Sequence, residues 1–232
     1  MKAVVYCGTR NIYPHMIPSI NSALKNGNID KVYVVAEDDT FPHKEVEVIK
    51  VSNPFEGSPN IKKWTWMVLM KTYLSQLMPL DRVLYLDYDT LVLGDLSPLW
   101  ELDMTDYYYG GAREPLKSKG GAWYQRDLYI NAGVLLCNLN KLRDGKDDEI
   151  IKALMAKDYP YCEQDCINEL CEGNILTLQG RYNRNDYTET DTETIIRHYA
   201  TLPQEVWGRL EEVRRYEDRQ KEAPKDIHLY PF

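Results

Sequence analysis

The stretch that most constrains this chain is a short apolar run, Val83-Leu84-Tyr85-Leu86, that ends abruptly in Asp87-Tyr88-Asp89. Four apolar residues in a row are too few for anything but a buried strand or core segment. In an extended chain side chains alternate faces, so Asp87 and Asp89 are expected to point the same way and converge on one cation. Burying one carboxylate is costly, and burying two is worse, unless a metal or a cationic partner neutralises them. The strand exit therefore asks for a counter-charge.

Around this stretch the chain alternates strand-like and helix-like segments. Residues 3–7 predict a first buried strand. Residues 13–24 predict an amphipathic helix, entered through Pro14 or Pro18, with Ile17, Ile20 and Leu24 inward, and residues 32–36 predict a second strand. Strand, helix and strand in this order form a βαβ unit, in which ligands sit at the carboxyl ends of the strands. Thr9, Tyr13 and Glu37 or Asp38 then fall near a nucleotide. Further strands are expected at 46–51, 107–112, 131–139, 174–178 and 194–199, with Gly133 letting backbone approach a ligand closely. Residues 62–78 predict one helix carrying Trp66, Leu69, Met70, Tyr73, Leu74 and Leu77 on its core face, stopped by Pro79. Residues 95–100, 144–157 and 164–171 predict further helices, and residues 52–60 and 114–127 predict loops.

The 232 residues suffice for one sizeable domain with a conventional core. The expected division is a catalytic α/β domain over 1–203 and a charged helix or tail over 204–232. A formal charge of -8 argues against a nucleic-acid partner, since duplex binding depends on Lys and Arg neutralising phosphates. The N-terminal apolar stretch is too short for a signal sequence, and no run reaches the 18 or more apolar residues of a membrane helix. The expectation is a cytoplasmic protein with no transmembrane segment. Cys7, Cys137, Cys162, Cys166 and Cys171 lack the CxxC spacing of a zinc site and are expected to be reduced thiols in or near the core.

Asp87-Tyr88-Asp89 at a strand exit, Asn131-Ala132-Gly133-Val134, Gln164-Asp165 and Ile195-Ile196-Arg197-His198-Tyr199 occur in the order and at roughly the spacing of glycosyltransferase family 8. That is the family of glycogenin and the bacterial lipooligosaccharide galactosyltransferases, and the chain resembles it from Ala3 to about Tyr199. The resemblance implies a GT-A (Rossmann-like) nucleotide-diphospho-sugar transferase fold, with a mixed, mostly parallel central sheet flanked by helices. It also implies a UDP-sugar donor (glucose or galactose), a carbohydrate or other hydroxyl acceptor, Mn²⁺ with Mg²⁺ as a substitute, and retention at the anomeric carbon.

Carried over by position, Asp87, Asp89 and His198 look like the metal ligands, with Asp87 also near the donor ribose. Lys71 resembles a basic residue that contacts the donor sugar or its phosphates. Asn131, Ala132 and Gly133 form the motif facing the donor sugar. Gln164 resembles the residue at the anomeric centre, and Asp165 one that binds a sugar hydroxyl. Thr9 and Tyr13 fall where the family holds the uracil. Carboxylates, one imidazole and diphosphate oxygens make a mostly hard ligand set suited to Mn²⁺.

The chain departs from the family after its histidine. Relatives continue H-x-x-G-x-x-K-P-W, whereas His198-Tyr199-Ala200-Thr201-Leu202-Pro203-Gln204-Glu205-Val206-Trp207 has neither that glycine nor that lysine. Arg181, Arg184 or Arg209 could supply the missing charge. Two alternatives stand beside the transferase: a metal-dependent nucleotidyltransferase, and a non-catalytic sugar-nucleotide-binding protein. The first would carry a Gly-rich, basic phosphate loop after its first strand, and Gly8-Thr9-Arg10-Asn11 is too meagre for one. Intact Asp87, Asp89, His198 and Gln164 argue against the second.

Overall fold

A computed structural model of the chain describes residues 1–62, 64–114, 128–185 and 192–200. The expected loop from 115 to 127, the charged segment from 204 to 232 and Arg209 lie outside the described residues. Seven strands, β1 (Ala3–Gly8), β2 (Lys31–Ala36), β3 (Val46–Lys50), β4 (Arg82–Leu86), β6 (Tyr109–Arg113), β7 (Ile130–Asn138) and β8 (Ile175–Leu178), form one sheet in the order β3-β2-β1-β4-β7-β6-β8. Pairing is parallel from β3 through β4 and between β6 and β8, while β7 runs against both β4 and β6. The sheet is mixed and mostly parallel. Two short strands, β5 (Thr90–Val92) and β9 (Ile196–His198), pair antiparallel beside it.

The alternation of side chains along each strand builds two cores, one on each face of the sheet. Val5, Cys7, Val83, Tyr85, Leu135 and Cys137 belong to one; Val4, Tyr6, Leu84, Leu86, Val134 and Leu136 belong to the other. α1 (Tyr13–Asn26) covers the second face through Tyr13, Met16, Ile20 and Ala23, with Pro14 in its first turn. Ile17 and Leu24, expected inward, lie half-buried at its flanks. The first face is covered by α4 (Leu139–Arg143), α5 (Lys146–Ala156), α6 (Cys162–Leu170) and the broken segment that precedes β4. All five cysteines are free and buried. Among the described residues, no helix is long and apolar enough to cross a membrane.

One expectation is corrected here. The single helix over 62–78 is instead α2 (Trp66–Leu69), a 3-10 turn over Met70–Thr72, and α3 (Leu74–Leu77). Thr72 Oγ1 donates to the Leu69 carbonyl (2.8 Å), a local bond that competes with regular helix. The tightened turn also carries Lys71 and Thr72 into the interior, which an amphipathic helix could not do with neighbouring residues. The strand expected near residues 194–199 is β9, which pairs with β5 beside the main sheet and places His198 opposite Thr90.

The strand order reverses at β1, whose neighbours are β2 on one side and β4 on the other. In open α/β sheets the crevice outside the strands' carboxyl ends at such a switch point is the usual ligand site. Thr9 follows β1 and Asp87 follows β4, so both open onto it.

Candidate functional site

The two acids converge, but not by the alternation of an extended strand. β4 stops at Leu86, and residues 87–89 turn before β5 starts at Thr90. Three bonds define the turn. The Asp87 amide donates to the Gly133 carbonyl (2.8 Å), Thr90 Oγ1 donates to the Asp87 carbonyl (2.8 Å), and the Tyr199 amide donates to the Asp89 carbonyl (2.9 Å). Strands β7 and β9 thus both clamp it. His198 Nε2 then lies 3.3 Å from Asp89 Oδ1 and 3.9 Å from Asp87 Oδ2. One ligand atom from each of Asp87, Asp89 and His198 falls within 4.8 Å of the others. Asp89 Oδ1 is buried and has no hydrogen-bond partner. A buried carboxylate oxygen whose close neighbour is an imidazole nitrogen suits a divalent cation, and these three residues could hold one.

Part of the counter-charge comes from the chain itself. Lys71 is 2% exposed, and its ammonium meets Asp87 Oδ1 (3.1 Å), Glu163 Oε1 (2.9 Å) and the Ala132 carbonyl (3.1 Å). It also lies 4.6 Å from the centre of the Tyr85 ring, whose hydroxyl donates to Asp87 Oδ1 (2.5 Å). Burial opposes its charge, yet Asp87 and Glu163 outweigh that and hold it protonated above the usual lysine range. Burial alone would raise the Asp87 pKa, but Lys71 and His198 pull it below the ordinary carboxylate range. Glu163 is pushed up by burial despite Lys71. Lys71 thus pairs with Asp87 and Glu163, while Asp89 faces His198.

His198, 3% exposed, packs closely against Gly133 of β7. A Cβ on Gly133 would lie 2.1 Å from its Cε1 and 2.8 Å from both ring nitrogens. The close approach expected at Gly133 is therefore made by the imidazole. On its far side His198 Nδ1 lies 2.9 Å from Asn183 Oδ1. Burial would lower the His198 pKa, but Asp89 and Asp87 raise it above the ordinary histidine value.

Across the pocket, the Gln164 side chain accepts from the Ala132 amide (2.8 Å) and donates to the Tyr129 hydroxyl (3.3 Å). Asn131 Nδ2 donates to Glu114 (2.6 Å), while its Oδ1 accepts from the Gly133 amide and from Asn183 (both 2.9 Å). Burial raises the Glu114 pKa, partly offset by the bond from Asn131. Asp165 accepts from the Tyr129 hydroxyl (2.6 Å) and the Tyr161 amide (2.9 Å) and is buried. Both oxygens of its carboxylate are thus bonded within the protein. One residue of helix rotates a side chain by about 100°, and it is Glu163 that turns towards Lys71 and Asp87.

At the other end of the crevice, Thr9 Oγ1 donates to Asn11 Oδ1. Tyr13 packs edge-on against Phe41 (5.0 Å between ring centres), and its hydroxyl accepts from the amides of Glu37 and Asp38. The ring is thus part of the wall between α1 and β2. Arg10 pairs with Asp38. Arg181 stacks on Tyr182, and Arg184 donates to Thr194 Oγ1.

Glu163, Asn183, Glu114, Tyr85 and Tyr129 were not singled out from the sequence. Glu163 stands beside Gln164, and Asn183 lies in the polar run after Gly180, but neither position announces its partner.

With this geometry in place, comparison with known proteins is informative. The sequence profile "Glycosyl transferase family 8" matches residues 3–202. A lipopolysaccharide 1,2-glucosyltransferase of Escherichia coli is 29% identical over 193 residues, covering 72% of this chain and 57% of that protein. A putative glycosyltransferase of Haemophilus influenzae is 29% identical over 133 residues, covering 50% of this chain and 37% of that protein. These alignments span under two thirds of either relative. The galactosyltransferase LgtC, solved with donor and acceptor sugar analogs, superposes with a TM-score of 0.72 at 22% identity over 99% of this chain and 97% of its own. GlyE of Streptococcus pneumoniae superposes with a TM-score of 0.68 at 20% identity, over 95% and 63%. These likenesses establish the GT-A fold.

Two outcomes follow from the packing. Gly133→Ala is expected to displace the His198 ring and to weaken any divalent-cation binding at the candidate site at least about tenfold, as loss of a ligand's support does; titration with Mn²⁺ followed by electron paramagnetic resonance reads this, and wild-type affinity would contradict it. Lys71→Met leaves buried Glu163 and half-buried Asp87 without their ammonium and is expected to cost about 3–5 kcal/mol of stability in urea unfolding. Adding Glu163→Gln should recover part of that loss.

Proposed function

Since this chain belongs to glycosyltransferase family 8, we propose that it moves a hexose, glucose or galactose, from a UDP-sugar to a hydroxyl acceptor with retention at the anomeric carbon. The observation that carries this reading is the convergence of Asp87, Asp89 and His198 at the carboxyl end of β4, beside the switch point of the sheet. Those three residues would hold Mn²⁺, with Mg²⁺ as a substitute. When bound, the cation supplies Lewis acidity towards the diphosphate charge that develops as UDP departs.

The chain's own groups do the rest. Thr9 and the wall built by Tyr13 border the uracil end of the crevice, and Asp87 lies towards the ribose. Asn131, Ala132 and Gly133 line the donor-sugar side. Lys71 serves the donor through Asp87, because its hydrogens point to three protein oxygens. Gln164 is oriented by the Ala132 amide and by Tyr129, which Asp165 holds. Retaining glycosidases place a carboxylate nucleophile about 5 Å from a second carboxyl. An amide at this position is a poor nucleophile, which favours front-face attack through an oxocarbenium-like state. The acceptor oxygen forms its bond to the anomeric carbon as the bond to the UDP oxygen breaks, and the acceptor proton passes to the departing phosphate. A covalent sugar on Gln164 or Asp165 would contradict this route.

A second reading, sugar-nucleotide binding without turnover, is favoured by one observation: no lysine follows His198 in the family's position. UDP binding that ignores Mn²⁺, with no turnover of any donor, would select it.

A panel of UDP-sugars with Mn²⁺ is expected to release UDP from at least one donor, slowly by hydrolysis without an acceptor. No release from any common donor would overturn the transferase reading, and Asp89→Asn should abolish whatever release is seen. Mn²⁺ must displace the proton from His198 Nε2, and Asp89 and Asp87 raise that group's pKa. Mn²⁺ affinity is therefore expected to weaken as pH falls, beginning above the ordinary histidine value of about 6.5. An affinity independent of pH between 5.5 and 8.5 would contradict this assignment.

A further inference from the structure

We propose that Asn183 is a positioning residue for the cation site: its carboxamide holds His198 in the tautomer protonated on Nδ1 and ties that imidazole to Asn131. The inference rests on reading Asp87, Asp89 and His198 as the cation ligands. It starts from a chain of four hydrogen bonds whose directions admit one assignment.

The first link is a backbone donor. The Gly133 amide donates to the Asn131 side chain at 2.9 Å, so the Asn131 atom it meets is the carbonyl oxygen. The second link is the 2.9 Å contact from Asn183 to that same oxygen, which must come from the Asn183 amide nitrogen. Asn183 Oδ1 is then the atom left to face His198 Nδ1, also at 2.9 Å. A carbonyl oxygen only accepts, so Nδ1 carries a hydrogen. In the neutral ring Nε2 is left with its lone pair, and Nε2 is the atom that faces Asp89 and Asp87. The opposite flip of Asn183 would set oxygen against oxygen at Asn131 and leave Nδ1 without an acceptor. On the outer side, Asn131 Nδ2 donates to Glu114, consistent with the same orientation.

The burial and packing agree with a support role. Asn183 is 2% exposed and sits directly after the 3-10 turn Gly180–Tyr182, its amide bonded to the Gly180 carbonyl (3.0 Å). The imidazole packs closely against Gly133 on one side, and Asn183 meets its Nδ1 on another. Histidine ligands generally donate their second ring nitrogen to such a partner, whose loss costs about 10–100-fold in metal affinity. The link through Asn131 also joins the cation site to the residue on the donor-sugar side.

The test separates tautomer from cation binding. Long-range ¹H–¹⁵N spectra of the ¹⁵N-histidine protein without metal, at pH 9, should show His198 protonated on Nδ1; the chain has four histidines, so His198→Gln assigns the signal. An Nε2-protonated ring in the unsubstituted protein would overturn the proposal outright. Asn183→Asp keeps an acceptor for Nδ1–H and loses the donor to Asn131, and should retain the tautomer. Asn183→Leu should give a shifted or mixed tautomer and weaken Mn²⁺ binding about 10- to 100-fold. A folded Asn183→Leu protein with the wild-type tautomer and affinity would also overturn it. An Nδ1-protonated His198 in a protein that binds no Mn²⁺ would instead sink the cation-site reading on which the proposal rests.

Discussion

Burying a lysine is unfavourable unless its charge is met and its hydrogens are accepted. In this protein Lys71 satisfies both conditions only because three separate elements meet around it: Asp87 from the end of β4, Ala132 from β7, and Glu163 from α6. None of these groups is stable alone. Glu163 would be an uncompensated buried carboxylate without the ammonium, Asp87 would lose one of its partners, and the ammonium would be costlier still without them. Their mutual dependence fixes α6, and with it Gln164, relative to the turn that carries Asp87 and Asp89. The break in the segment before β4 has the same cause, since a regular amphipathic helix would have left Lys71 at the surface.

The second constraint is space. His198 reaches the acids only because β7 offers a glycine where its ring must lie, and because β9 pairs with β5 across from Thr90. Antiparallel β7 brings Asn131, Ala132 and Gly133 to the same edge as the carboxyl end of β4. In that setting backbone groups do as much as side chains. The Gly133 carbonyl holds the Asp87 amide, the Gly133 amide orients Asn131, and the Ala132 amide orients Gln164. Asn131, Ala132 and Gly133 thus join the turn that carries Asp87, the side chain of Asn183 and helix α6.

Much of this architecture was legible in the sequence. The apolar runs at 3–7, 32–36 and 83–86 are strands, because a sheet covered on both faces buries every residue and leaves a run with no polar interruption. The carboxylate pair was legible because acids directly after such a run stand at a strand exit. Helix 62–78 was misread because its apolar spacing fits one continuous helix, while the energetics of one buried lysine broke it. The partner of Lys71 was not legible: Glu163 and Asp165 are both acids beside Gln164, and only helix rotation within the packed fold distinguishes them. Tyr13 is an aromatic near a predicted nucleotide crevice, yet packing against Phe41 makes it wall.

The sequence by itself determined the class of fold, the strand exit with its paired acids, and the family to which the chain belongs. These are properties of local pattern and of motif order, which need no knowledge of what lies across the sheet. The tertiary structure alone decided how the acids converge, which acid partners Lys71, what occupies the space at Gly133, and which proton His198 carries. Each of those depends on groups far apart in the chain meeting at hydrogen-bond distance. Charge compensation and bond direction act on whatever is nearest in space, and sequence order does not record that.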